Sequence, residues 1–550
     1  MGKGSCIGPP YVGGGWSGKR LCQHGGVADV QAGPHTEGAR EFDERRLDEQ
    51  SRLLTPLRRG LASVPREVWV LSVLIAVWIA VFGHLVLLRQ DRFGSFSLDM
   101  GIFDQATWLV SRMGGLFMSI RGLHFFGHHF NLGLFLLAPF YWLGAGANFL
   151  NMVMVTSMAL AAVPIYLLGR DKLSSGWLGV GLAVAYLLHP SLQFMAWELF
   201  HPEPMAMAGL FWAWWFASRR QWSWYALSMA YAVCWKEDVA LAAAVIGLLL
   251  LLRKEWRPGL WTVGLSTLYF FIANSWLIPE LSGAGQTFYN NLFGTLGNSP
   301  TQVLVNSAKH PTEFTRRLLA RDAVSFYWKM TVPFAFVPLA APLVLAIGLP
   351  QALIDVLSAA GFTRVITYHY AALPLTGLTL AAVEGVALVG RTPLRRSVLV
   401  GVIVGSALTA SIIWGPSPIG HEYRKGWWPL WPDPSRSAKT VAVHEMAGKD
   451  HISATYDMAP HLAHRRYIYS YPNPFISDSW AVNGEHLPDP NIVHWLVLNR
   501  ALMDGRNLAL FDRLISDGEF QIDSDREGIV VAHRVLHGSR VDPLSFGPGP

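Results

Sequence analysis

Apolar runs follow one another almost without a break from Val68 to Gly415, and that succession decides what this 550-residue chain can become. A helix needs roughly 20 apolar residues to cross the hydrocarbon of a bilayer. The runs fall at 68–88, 148–169, 175–193, 204–217, 223–236, 238–252, 258–278, 326–340, 342–358, 370–390 and 397–415. They predict a polytopic α-helical membrane protein of about 11 spans, several of them short for a bilayer about 30 Å thick. A further apolar stretch, 130–146, reads either as a span or as a segment lying along the interface.

Charge is scarce along these runs. Asp, Glu, Lys and Arg make up 15% of the chain, against about 25% in ordinary soluble domains. That deficit argues against a soluble globular enzyme. A net charge of +6 without a dense basic face and interleaved aromatics gives no sign of a nucleic-acid partner. Cys6, Cys22 and Cys234 are too few and too scattered for a disulfide scaffold or a zinc site.

Basic residues in short loops set the orientation. With 130–146 laid along the interface and the N-terminus cytoplasmic, Arg170, Lys172, Arg219, Arg220, Arg253, Lys254, Arg257, Arg391, Arg395 and Arg396 all face the cytoplasm. The opposing short connections carry almost none. This orientation places 89–147, 194–203, 236–238, 279–325, 359–369 and 416–550 outside a multi-pass plasma-membrane protein. Residues 1–67, Gly-rich to about residue 50, have no apolar run for a signal peptide. They read as a disordered cytoplasmic tail, or in part as an over-extended start. Beyond the membrane body at 68–415, a Trp/Pro-rich linker leads into 416–550, which reads as a soluble extracytoplasmic α/β domain. Its end predicts a helix and then a hairpin turning at Asp525-Arg526-Glu527-Gly528. No GxGxxG, Walker A, HExxH or GxSxG pattern occurs.

In so apolar a chain the informative residues are ionisable ones at the ends of spans. The first outer loop, 89–147, opens with Asp99 and Asp104 and continues to His128 and His129. The next outer turns carry Trp197-Glu198-Leu199-Phe200-His201-Pro202-Glu203, then Lys236-Glu237-Asp238, then Tyr368-His369. Each has an ordinary structural account. An Asp past a span caps a helix, Glu203 beside Pro204 starts one, and Lys236-Glu237-Asp238 forms a self-neutralising turn. Their joint placement on one side favours a shared carboxylate- and imidazole-lined cavity. Trp69, Trp78, Trp108, Trp142, Trp197, Trp212, Trp214 and Trp215 read mostly as an interfacial belt. Trp197 and Trp235 are also candidates for stacking on sugar.

These pieces, with Asp99-Met100-Gly101-Ile102-Phe103-Asp104-Gln105, Gly127-His128-His129-Phe130, Tyr368-His369-Tyr370, His461-Leu462-Ala463-His464-Arg465-Arg466 and Tyr469-Ser470-Tyr471-Pro472, carry a resemblance. From about Val68 into its C-terminal region the chain resembles a family of predicted polytopic membrane proteins of bacteria and archaea. That family looks like the wider GT-C class of glycosyltransferases, which take sugar from a polyprenyl-phosphate carrier outside the membrane. The chain departs from the class pattern in having Asp99 and Asp104 in place of an adjacent acidic pair.

The resemblance implies a membrane glycosyltransferase whose partners are the lipid bilayer, a polyprenyl-phosphate-linked sugar and an envelope glycan, lipid or protein acceptor. Such transfer needs a carboxylate to deprotonate the acceptor hydroxyl and positive charge or donors for the leaving phosphate. Asp99 is the first choice for base, with Asp104 about one helical turn on, close enough to share its site. Arg89, Arg92, Arg364 or Lys236 would receive the phosphate. His128, His129, His201, Glu203, Lys236, Glu237, Asp238, Tyr368 and His369 would position sugar or acceptor. The sequence points to no particular cofactor; a divalent metal shared by Asp99, Asp104 and a histidine fits the residue types, although nothing in the spacing demands it. A secondary transporter is the main rival reading, and it should show inverted repeats and broken helices near the midplane. A non-catalytic, envelope-binding membrane protein is the third.

Overall fold

The structure, a computed structural model, describes residues 64–287, 290 and 292–535, so the expected N-terminal tail lies almost wholly outside the described residues. The chain divides at Pro65, and everything said here concerns the unit that follows it. Five helices among the described residues are long and apolar enough to cross a membrane: Arg66–Asp91, Ala147–Leu173, Trp256–Ser282, His369–Val389 and Pro393–Trp414. Gly176–Leu187 and Pro190–Glu198 make a sixth candidate, bent by 49°. The break has a local cause: Pro190 brings no N–H, and the His189 ring accepts the Ser191 N–H to start a new helix.

The remaining apolar runs fold into shorter pieces. Val239–Leu252 and Pro342–Leu357 are helical but short. The run at 326–340 is not one helix. Arg321–Thr331 gives way to tight turns at Val332–Phe334 and Val337–Ala340, because Pro333 and Pro338 remove donors. Ala335 and Phe336 between them adopt φ of 50° and 60°. The ambiguous stretch 130–146 holds only Leu134–Leu137 and the tight turns Ala138–Leu143. At about 1.5–2 Å per residue that is too short to cross, and Trp142 and Leu143 are exposed. Trp214, by contrast, is fully buried and does not belong to an interfacial belt.

Small residues let the helices close on one another, the usual device where apolar side chains gain nothing by leaving lipid. Gly377 sits where a Cβ would stand 2.5 Å from the Gly348 backbone nitrogen, which seats the His369–Val389 helix. The basic turns meet at one end of the bundle. Arg219 pairs with Asp171 at 2.8 Å, Arg220 with Glu255 at 2.6 Å, and Lys172 and Arg253 reach Glu384 at 3.0 and 3.8 Å. His369 starts the helix that carries Glu384. At 1.5 Å per residue these two side chains lie about 22 Å apart along it, so the histidine and carboxylate cluster occupies the opposite end.

A two-stranded ribbon, β1 (Phe117–Met118) and β2 (Leu123–His124), lies in the first long loop. After the last long helix the chain forms a five-stranded sheet from β3 (Ile452–Ala454), β4 (Ile468–Ser470), β5 (Trp495–Asn499), β6 (Phe520–Arg526) and β7 (Ile529–Arg534), in the order β4-β3-β5-β7-β6. β3 pairs parallel with both neighbours and the last three strands are antiparallel. The expected hairpin turns at Glu527-Gly528, both at positive φ, as a two-residue hairpin loop requires. The first loop is keyed into this sheet. Ser119 Oγ accepts the Ile468 N–H at 2.9 Å, Gln105 Nε2 donates to the Arg465 carbonyl at 3.1 Å, and Ser97 and Ser470 share a hydrogen bond of 2.8 Å.

Candidate active site

The helix Arg66–Asp91 ends, the chain turns, and a π-helical turn at Ser97–Gly101 sets Asp99 against His201. His201 Nε2 stands 3.6 Å from Asp99 Oδ1 and 3.8 Å from Glu198 Oε1. Glu198 grips His369 twice: Oε1 lies 2.7 Å from Nδ1, and Oε2 accepts the backbone N–H at 2.5 Å. The His201 and His369 rings stack with centroids 4.0 Å apart and planes at 15°. His369 Nε2 then meets Glu203 Oε1 at 3.5 Å, and Lys236 Nζ holds that same oxygen at 2.5 Å while standing 3.5 Å from Asp238. Asp99 is the member that reaches solvent, with 39% of its side chain exposed against 4% for His201 and 7% for Glu198.

Local backbone explains the convergence of Glu198 and His201. The helix Pro190–Glu198 stops at Leu199, whose φ of 79° and ψ of −169° lie in a region that branched residues rarely enter. Holding it there costs on the order of 1–3 kcal/mol. The turn brings His201 back toward Glu198 and aims the Leu199 carbonyl at His201 Nδ1, 3.2 Å away. Pro202 then opens the next helix with Glu203 in its first turn. Burial pushes the Asp99 carboxyl up, but the neighbouring His201 and the Arg89 guanidinium hold it below its ordinary value.

A second group joins through Lys236-Glu237-Asp238. Glu237, fully buried, takes the His129 ring at 2.8 Å and the Phe130 N–H at 2.9 Å. Burial raises its pKa, while His129 and Lys236 pull it down to about 2. The trio neutralises itself only in part: Lys236 stands 3.5 Å from Asp238 but also reaches Glu203, and Glu237 reaches His129. His128 packs on His129 with centroids 4.4 Å apart, and burial holds it well below the ordinary histidine range.

The two aspartates of the first loop part company. Asp104 lies on Ile102–Arg112, accepts the Tyr141 hydroxyl at 2.6 Å and meets His464 Nε2 at 3.0 Å. It lines a cavity of about 550 Å³ with His461, His464, His444 and Arg465, a set that includes neither Asp99 nor His201. The expected cations divide as well. Arg89 is buried beside Trp197 and Phe96 and donates to the carbonyls of Gly94 and Trp197. Arg92 donates to the Pro429 carbonyl, and Arg364 pairs with Asp322 at 3.2 Å. Trp197 is spent on Arg89 and on the Trp427 carbonyl, while Trp235 is fully buried. Tyr368 stands within electrostatic reach of Glu198 and Asp99.

Three contributors escaped the sequence reading. Glu198 was legible only as a carboxylate three residues before His201, a spacing that needs the sharp turn at Leu199 to matter. Asp355 is buried, takes Gln351 Nε2 at 2.8 Å, and lies within electrostatic reach of Asp238, Lys236 and Glu203. Tyr456 comes from the C-terminal sheet region, stacks on Phe96 at 5.0 Å and sits beside Asp99. One nitrogen from each of His201 and His369 and one oxygen of Glu198 lie within 4.8 Å of one another. Among the described residues these three, and not the Asp99–Asp104 pair, are grouped closely enough to hold a metal ion.

The family model described as "Predicted membrane protein (DUF2079)" matches residues 89–531, the stretch that builds this cluster and all of the sheet but the end of β7. The chain belongs to that family. None of the curated proteins matches this DUF2079 member. Among solved structures, ArnT from Cupriavidus metallidurans in the apo state is similar at a TM-score of 0.49 and 11% identity, covering 86% of this chain and 99% of that one. So distant a likeness carries no chemistry across.

Proposed function

We propose that this DUF2079 protein is a membrane glycosyltransferase, moving a sugar from a polyprenyl-phosphate carrier to an envelope acceptor at the end of the bundle away from the basic turns. The observation that carries the reading is Asp99: a partly exposed carboxylate in the turn that follows a membrane-length helix, backed by buried His201 and Glu198 and by His369. One Asp99 oxygen faces His201 and the other is left for substrate. It takes the proton of an acceptor hydroxyl as that oxygen bonds the anomeric carbon. The carbon–phosphate oxygen bond breaks, and its electron pair leaves with the polyprenyl phosphate. Tyr456, Phe96 and Tyr368 stand around Asp99 as apolar and hydroxyl-bearing walls for a sugar. In this reading the basic turns are cytoplasmic and the sheet is extracytoplasmic, lending Tyr456 to the site. The test is transfer from labelled polyprenyl-phosphate sugars to membrane acceptors by the purified protein, with Asp99→Asn as control. Liposome uptake without transfer would favour a transporter instead.

A further inference from the structure

A phosphate anion entering this site meets the wrong charge. Asp99, Glu198, Glu203, Glu237 and Asp238 are linked to it, against Lys236 and Arg89. Lys236 is already held between Glu203 and Asp238, and Arg89 is turned onto two backbone carbonyls. Arg92 and Arg364 are engaged elsewhere. Carboxylates buried at this density need either a proton or a compensating cation.

His201 states the same need more locally. Its Nδ1 faces the Leu199 carbonyl, so that nitrogen carries the proton. Its Nε2 then points a lone pair at two carboxylates, 3.6 and 3.8 Å away. A positive centre bound at Nε2 would satisfy that lone pair and both carboxylates at once. A histidine whose far nitrogen bonds a backbone carbonyl is the usual support for a metal ligand. Bonds of about 2.0–2.2 Å at tetrahedral angles put donor atoms roughly 3.4 Å apart, near the 3.8 Å between His201 and Glu198. The 2.7 Å contact of Glu198 with His369 is a hydrogen bond that would open slightly to admit an ion. Glu203, buried against His369, keeps its Oε2 without a hydrogen-bond partner among the described residues.

We infer that Glu198, His201 and His369 bind one divalent transition-metal ion, with an open coordination position toward Asp99. Two imidazoles and one carboxylate suit Zn²⁺ or Mn²⁺ better than Ca²⁺ or Mg²⁺, which prefer all-oxygen shells. The ion supplies the positive charge that the nearby arginines and lysine do not. This purpose rests on the proposed transfer reaction; the site itself does not.

The test needs no substrate. Full-length protein in detergent is assayed for bound metal, stripped with a chelator, and titrated separately with Zn²⁺, Mn²⁺, Ca²⁺ and Mg²⁺ while melting and stoichiometry are followed. One transition-metal ion per folded chain, raising the melting temperature on rebinding, is the expected result. In His201→Gln, His369→Gln and Glu198→Gln the affinity should fall at least about tenfold, while His464→Gln at the other cavity keeps it. Should those variants misfold, a Co²⁺-loaded wild-type protein must still give the absorption spectrum of nitrogen and oxygen ligands. Folded wild-type protein that takes up no ion would overturn the inference. So would binding that persists unchanged in His201→Gln and His369→Gln, or a preference for Ca²⁺ or Mg²⁺. Metal without transfer would remove the glycosyltransferase reading alone, and transfer without metal would remove only this one.

Discussion

Lys236→Met tests the inner wall of the site. The ammonium is buried, 2.5 Å from Glu203 and 3.5 Å from Asp238, with 6% of its side chain exposed against 8% and 4% for those partners. Removing it leaves two carboxylates in a dry environment, and breaking a buried pair from one side typically costs about 3–5 kcal/mol. At about 2 °C per kcal/mol, the figure for larger domains, apparent melting should fall by roughly 6–10 °C. The companion variant Lys236→Met/Glu203→Gln removes one orphaned charge and still offers His369 an acceptor, so it should recover most of that loss. Fluorescence-monitored melting of both variants in one detergent, at one scan rate, gives the comparison, since unfolding of such a protein is expected to be irreversible. A single variant that melts with wild type, or a double variant no better than the single, would refute the argument that this pair is a closed electrostatic unit.

Other expectations follow from separate parts of the molecule. Gly122→Ala places a Cβ 2.3 Å from the buried Trp480 ring at φ of +69°. It should cost about 2–3 kcal/mol and loosen the first loop from the sheet, seen as faster proteolysis in the Trp/Pro-rich linker. Asp104→Asn deprives Tyr141 and His464 of a charged acceptor worth about 1.5–3 kcal/mol; it should lower the melting temperature while leaving turnover near wild type. Burial pushes His461 down from 6.5 to about 4. The unfolded chain therefore binds its proton first, and wild-type stability should fall as pH drops from 6.5 toward 4. In His461→Phe that part of the pH dependence should flatten, which melting curves across the window will report.

Much of this was readable in the chain because two patterns are local. Apolar runs and basic turns give the membrane helices and the charged end, and Glu527-Gly528 gives the hairpin. His201, Glu203, Lys236, Glu237 and His369 were each visible at the end of an apolar run; the structure joins Lys236, Glu203 and His369 through contacts of 2.5 and 3.5 Å, stacks His201 on His369, and turns Glu237 to His129. What was not readable depended on turns and on distant chain. Asp99 and Asp104 are five residues apart, yet the π-helical turn and the following helix send them to different partners. Glu198 matters only because Leu199 is held in an unusual conformation. Tyr456 enters from the sheet, more than 350 residues beyond Asp99 in the chain. The run at 326–340 was apolar enough for a span, but its prolines break it into turns.

The most direct measurement of the central claim is sugar transfer by purified wild-type and Asp99→Asn protein, assayed with radiolabelled polyprenyl-phosphate sugars and extracted envelope acceptors. The account predicts label in the acceptor with wild type and a loss of at least about 100-fold in Asp99→Asn, the scale of a missing general base. Transfer that survives Asp99→Asn undiminished would contradict it.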